Sequence, residues 1–329
     1  MNLRLRLVAR AARRLPSVLD MSPAERAAAR RGLPEPLARA LSGATLRNVA
    51  VGDRVLDTAV GPVGTRLYLP VAIAKQLRPG TPTRFPLVVY AHGGGWVLGS
   101  LRGSDWLCSR VADRVGALVV SVDYRLAPEH PAPAAFDDYW AVLRHLLAHG
   151  EPALPVDTAR VAVMGDSAGA TLATLAAIRH KEALAAGEAD LPAEPLAYQV
   201  LVYPGTDLTL ASPTIDARAD APILPRSDLE AYLALYLGPS ELKPDDPRVS
   251  PLFAPDLRHV APALVLTTDL DPLEGEDVAY VERLREAGVA ARHISYPDVP
   301  HGFISMAGMT PVAGQALDDV VSELRRALR

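Results

Sequence analysis

Ser167 lies in Gly165-Asp166-Ser167-Ala168-Gly169, and three other segments carry residues that could act with it. His92-Gly93-Gly94-Gly95-Trp96 precedes it, while Asp269-Leu270-Asp271-Pro272-Leu273 and Pro300-His301-Gly302-Phe303 follow. A serine hydroxyl is a poor nucleophile until a neutral imidazole takes its proton during attack. A carboxylate bonded to that imidazole fixes its tautomer and stabilises the imidazolium. Consecutive glycines let backbone N–H groups come close to a carbonyl oxygen as it gains negative charge. The chemistry open to such a set is acyl transfer.

Each part has a bland reading as well. A G-x-S-x-G match arises by chance in roughly one chain in ten of this length, and Ser167 could simply cap a βα turn. The setting adds weight, because Val161–Met164 reads as a strand and an Ala-rich helical run continues to about Arg179. That is the strand–turn–helix of a nucleophile elbow. The N–H groups of Gly93, Gly94 and Ala168 are the expected oxyanion donors. The glycine run lacks G-x-G-x-x-G and any following Gly-Lys-Ser/Thr, so a phosphate loop has no fingerprint here.

Of the eight histidines, His301 follows a β-like run, Val289–Tyr296, and is the expected base. His130, His145, His149 and His180 lie in loop or helical stretches, His259 and His293 are less well framed, and His92 is assigned a structural role. Asp269 and Glu276 compete with Asp271 for the acid. The chain order Ser167, Asp271, His301 is that of α/β-hydrolase triads.

These residues need a scaffold that brings strand ends together. Apolar β-rich runs at 86–90, 117–122, 161–164, 197–203 and 263–267 alternate with helix-like stretches. That pattern predicts an α/β fold with a mostly parallel sheet covered on both faces, its function at the carboxyl ends of the strands. Shorter β-like runs are expected at 46–51 and 65–69. Almost sixty residues separate Tyr203 from Ala263, too many for a plain crossover. There Ser227 and Glu230 read as a capping box, with Leu229, Tyr232, Leu233, Tyr236 and Leu237 at helical spacing. This helix is expected to be a lid whose aromatic stripe packs on the core. Ser22, Pro23 and Glu25 start a helix that Gly32 stops. The expected division is an N-terminal helical cap segment over 1–45, a catalytic domain over 46–206 and 251–329, and an inserted cap or lid over 207–250.

Composition excludes several function classes. The chain has 329 residues, 22% charged, with a net charge of −4, so no overall basic field draws nucleic acid. Cys108 is the only cysteine, which rules out an intramolecular disulfide and multi-cysteine metal sites. No membrane span is expected; the run Phe85–Leu101 is broken by Pro86, His92 and four glycines. Met1–Arg14 carries five arginines and no acid but lacks a signal's apolar core, and reads as an amphipathic surface helix. A cytoplasmic location is expected.

Taken together, His92-Gly93-Gly94-Gly95-Trp96, Asp123-Tyr124-Arg125-Leu126-Ala127-Pro128-Glu129-His130-Pro131, Gly165–Gly169, Asp271-Pro272-Leu273 and His301-Gly302-Phe303 resemble the bacterial hormone-sensitive-lipase-like esterases. The resemblance runs in order from about residue 85 to the end. It implies an α/β-hydrolase fold with an N-terminal helical cap, Ser167 as nucleophile, His301 as base and Asp271, the acid of the Asp-Pro-Leu motif, as its partner. It also implies a small-molecule ester substrate with short or medium acyl groups and no cofactor or metal. Dimers are common among similar proteins, and the last sheet strand is the expected contact edge. The Asp123–Pro131 stretch is expected to brace the site, and Trp96 and Val97 to shape the substrate pocket. Ala132, where the family often has an aromatic residue, and Gly275, where an acid is common, depart from the pattern. The function expected is a serine carboxylesterase. An amidase or formamidase would use the same machinery, and a ligand receptor on this scaffold would lack the histidine that stands at 301.

Overall fold

The computed structural model describes residues 1–75, 84–150 and 154–329. Three helices open the chain: α1 (Leu3–Ala12), α2 (Pro23–Arg30) and α3 (Glu35–Ser42). α2 starts where the sequence predicts, with Glu25 N–H donating to Ser22 Oγ at 3.3 Å and Ser22 N–H donating to the Glu25 carboxylate at 2.8 Å. Strands and helices then follow as β1 (Val49–Thr58), β2 (Gly61–Pro70), the single turn α4 (Val71–Ala74), β3 (Phe85–Ala91), α5 (Asp105–Val115), β4 (Leu118–Asp123), α6 (Ala134–His149), β5 (Val156–Asp166) and α7 (Ala168–Ala185). The chain ends with β6 (Tyr198–Val202), α8 (Pro213–Ala217), α9 (Arg226–Tyr236), β7 (Ala263–Thr268), α10 (Glu274–Glu286), β8 (Ala291–Tyr296) and α11 (Val312–Ala327).

One eight-stranded sheet runs in the order β1-β2-β4-β3-β5-β6-β7-β8. From β4 to β8 every neighbouring pair is parallel, and β1 and β2 add an antiparallel edge. β3 and β7 are buried along their whole length, as strands covered on both faces must be. Leu107, Val111, Leu317 and Val320 of α5 and α11 pack on one face with Val88, Val119 and Leu264. Tyr139, Leu143, Leu172 and Tyr280 of α6, α7 and α10 pack on the other with Leu87, Val163 and Val265. The parallel arrangement sets the carboxyl ends of β3, β5, β7 and β8 along one edge.

Four elements differ from expectation. β1 and β2 pair in register over ten residues each, well beyond 46–51 and 65–69. Most of β1 is exposed, so Asp53, Arg54 and Asp57 interrupt the apolar pattern without ending the strand. β5 starts at Val156 because Asp157, Thr158 and Arg160 hide its first turn of alternation. Finally, Ser227 does not cap α9. Pro225 occupies the N-cap with no side-chain bond, and Glu230 instead pairs with Arg226 one turn back, Nε to Oε1 at 2.8 Å.

Backbone meets backbone where β5 passes into α7. A Cβ at Gly169 would collide with the carbonyl oxygen of Ala91, and one at Gly165 with the backbone of Gly169. Backbone cannot swing aside as a flexible side chain can, so Gly169→Ala is expected to destabilise the fold by about 1–3 kcal/mol. Urea unfolding followed by circular dichroism measures this, and an unchanged midpoint would contradict the packing.

Candidate active site

Ser167 occupies the turn between β5 and α7 with φ 51° and ψ −126°, a conformation L-residues rarely adopt. Its N–H is held by the carbonyl of Val202 at the end of β6, at 2.8 Å. The hydroxyl faces His301, whose Nε2 lies 2.8 Å from Oγ. His301 Nδ1 lies 2.5 Å from Asp271 Oδ2. Asp271 is fully buried, and its other oxygen accepts the Leu273 N–H at 3.0 Å. With an acidic acceptor on Nδ1, the ring proton sits there, and Nε2 offers a lone pair to the serine.

The competing groups lie elsewhere. Asp269 accepts the Asp298 N–H at 2.9 Å, and Glu276 accepts the N–H groups of Thr206 and Asp207 at 2.7 and 3.1 Å. Neither bonds to His301. His293 pairs with Thr267 Oγ1 at 2.8 Å, and His259 is exposed. His92 is buried and stacked on Tyr124 with ring centroids 4.4 Å apart, while burial lowers its pKa to about 4. Tyr124 Oη donates to the His92 carbonyl at 2.6 Å, so the segment after β4 braces the glycine loop.

Two site expectations need correction. Gly93 is not a free donor, because its N–H is spent on Asp166 Oδ1 at 2.9 Å. Among the described residues, the N–H groups of Gly94, Gly95 and Ala168 have no protein acceptor. Gly95 lies in the motif, but which two of three glycines present their N–H groups depends on loop geometry. Val97 does not line the pocket either. Its side chain is fully buried in the core, and its carbonyl accepts Arg30 Nε of α2 at 2.8 Å. Trp96 does line the cavity, its indole stacked on Tyr236 at 4.4 Å.

Sequence reasoning missed Asp166, the residue just before Ser167. Its Oδ1 takes both the Gly93 N–H and the Tyr90 hydroxyl. Burial raises its pKa, and these two donors oppose the shift. Asp166 thus ties the glycine loop to the serine turn. The lid stripe also divides in two: Tyr236 packs on Trp96 as expected, but Leu229, Tyr232 and Leu233 line the cavity. Tyr232 rests directly on Gly95, where a Cβ would strike its ring. The cavity measures about 370 Å³ and has Ser167, His301 and Ala168 in its wall. Among the described residues, no group of three His, Cys, Asp or Glu could hold a metal ion.

Residues 88–305 match a family of proteins with the α/β-hydrolase fold. The esterase LipI of Mycobacterium tuberculosis is 37% identical over 84% of this chain and 82% of its own. An ethyl acetate hydrolase of Pseudomonas putida is 35% identical over 94% of this chain and 93% of its own. The chain belongs to the α/β-hydrolase family, in its hormone-sensitive-lipase-like branch. This esterase is a carboxylic ester hydrolase of the serine type. Its fold superposes on that of the hyperthermophilic esterase of Pyrobaculum calidifontis with a TM-score of 0.82 and 32% identity, covering 99% of this chain and 98% of the other. None of the esterase's described helices is long and apolar enough to cross a membrane. Its departures from the family pattern are accommodated locally. Ala132 is buried and donates its N–H to the Tyr236 carbonyl at 2.9 Å, and a side chain at Gly275 would press on Ser212 Oγ at 2.5 Å.

Cutting the Asp166 tie should release the glycine loop without touching Ser167 or His301. In Asp166→Ala, kcat for ester hydrolysis is expected to fall about 10²-fold, the loss typical of a 1 Å misplacement. Asp166→Asn keeps an acceptor for Gly93 and should lose less. Steady-state kinetics with folding checked by circular dichroism decide the matter, and full activity in the alanine variant would contradict the tie.

Proposed function

We propose that the esterase cleaves short- to medium-chain acyl esters through an acyl-enzyme intermediate on Ser167. The observation that carries this reading is the unbroken chain of contacts from Ser167 Oγ to His301 Nε2 and from Nδ1 to buried Asp271. Ser167 Oγ adds to the ester carbonyl as His301 Nε2 takes its proton, and Asp271 stabilises the imidazolium. The resulting oxyanion is held by the N–H groups of Gly94, Gly95 and Ala168, the last supported by the positive end of α7. His301 returns the proton to the leaving alcohol, then activates water to release the acid. A pocket of about 370 Å³ walled by Trp96, Leu229, Tyr232 and Leu233 favours small apolar acyl groups over long chains.

In this reading, residues 1–45 and 207–250 form the two parts of a cap, with α9 as the lid. The outer edge of β8, which has no strand partner among the described residues, is where two copies would pair. A relative named arylacetamide deacetylase, from Oryctolagus cuniculus, is 31% identical over 77% of this chain. It supports amide cleavage as the second activity to assay.

Ser167→Ala is expected to abolish hydrolysis of p-nitrophenyl butyrate and labelling by a fluorophosphonate probe. Retained labelling, located by mass spectrometry at another serine, would refute the nucleophile. Asp271→Asn should lower kcat by about 10⁴-fold, and a loss under about tenfold would point to another acid. Across p-nitrophenyl esters of increasing length, kcat/KM should peak at acyl groups of about two to six carbons. A maximum at long chains would overturn the substrate class.

A further inference from the structure

The arginine-rich start of the chain takes no part in the chemistry above, yet its surface is unusual. Residues 1–42 carry nine arginines, of which Arg26 is buried and Arg30 is paired with Glu129, against three acids, while the rest of the chain carries 25 basic and 35 acidic residues. Within α1, Leu5 and Ala9 face the core. Leu3, Leu7 and Ala11, spaced four apart, lie on another side of the helix and are exposed, Leu3 by 70% and Leu7 by 54%. Arg4, Arg6, Arg10, Arg13 and Arg14 are exposed around them. Leu15, Leu19, Leu33 and Leu37 are exposed too, so six of the ten large apolar side chains exposed among the described residues fall in this segment. A helix that already buries one apolar face gains nothing in water from a second.

We propose that the α1–α3 surface docks on anionic lipid bilayers, with the Leu3–Leu7–Ala11 stripe set among the acyl chains and the arginines among the phosphates. Charge selects this occupant. A cationic surface with an apolar stripe lies in the interface plane without spanning it, and anionic headgroups draw arginines to them. A second copy joined through the same face would bring two arginine-rich surfaces together, which like-charge repulsion opposes. The position of the surface gives the docking a use. A cavity of about 490 Å³ beside it is lined by Ala12, Leu15 and Val18 on one side and Ile223, Asp228 and Tyr232 on the other. Those last three residues also line the cavity of Ser167. Ile223, Asp228 and Tyr232 thus form a wall common to both cavities, with the docked face on one side and the ester-cleaving site on the other. Docking is independent of the roles assigned to Ser167 and His301, so vesicle binding and ester turnover can fail separately.

Co-sedimentation of the full chain with phospholipid vesicles tests the proposal, with p-nitrophenyl butyrate hydrolysis run alongside as a check of folding. Vesicles of phosphatidylcholine are compared with vesicles holding about 30% phosphatidylglycerol, at salt of about 0.1 M and about 0.5 M. Binding is expected only to the anionic vesicles and should drop sharply at the higher salt. Leu3→Ser/Leu7→Ser should weaken it at least about tenfold. Arg4→Gln/Arg10→Gln should weaken it by about fivefold per arginine. Both variants should hydrolyse the soluble ester at the parental rate. The arginine pair leaves every apolar contact in place, so it keeps the test decisive if the leucine variant fails to fold. No binding, equal binding to neutral vesicles, or binding unchanged in the arginine variant would overturn the proposal. So would a dimer that the leucine substitutions dissolve in the absence of vesicle binding.

Discussion

A serine held at φ 51° is the constraint on which the rest of the molecule depends. That conformation costs of order 1–3 kcal/mol and persists only when its surroundings determine it more strongly than it resists. Here the surroundings are backbone. Val202 holds the serine N–H from one side, while Gly165 and Gly169 let β5, α7 and β3 close around the turn with no side chain between them. The reward is exposure of a hydroxyl at the start of an 18-residue helix, above the edge where six parallel strands end.

His301, Asp271 and the glycine loop meet Ser167 because the sheet order brings them there. His301 arrives on the loop after β8 and Asp271 on the loop after β7, and these strands are neighbours, so the two side chains need only a short reach. The glycine loop follows β3, which pairs directly with β5. Position alone does not set that loop's angle. Asp166 does so from the serine's own turn, by accepting the Gly93 N–H. One buried carboxylate therefore ties Ser167's turn to the loop, and its burial makes the bond hard to replace with water.

α2 and α9 are bound to this same loop. Arg30 of α2 donates to the carbonyls of Val97 and Ala127 and pairs with Glu129, all within 2.8 Å. Tyr232 of α9 rests on Gly95, and Tyr236 stacks on Trp96. The apolar cavity, the loop, α2 and α9 are thus packed against one another.

The sequence by itself determined the chemistry and the class of fold. Short-range patterns carry both, since a strand–turn–helix, a run of glycines and alternating apolar segments are each local. Buried strands such as β3 and β7 were legible because each carries an apolar run of four or more residues. β1 was not, because an edge strand with one wet face can be mostly polar and still be held by its neighbour. Only the tertiary structure separated Asp271 from Asp269 and Glu276 on geometric grounds, since carboxylates so close along the chain differ chiefly in which way the backbone turns them. It alone moved a hydrogen-bond donor from Gly93 to Gly95, sent Val97 into the core and gave Asp166 its task. Each of those outcomes depends on contacts between residues distant along the chain, and local spacing holds no record of them.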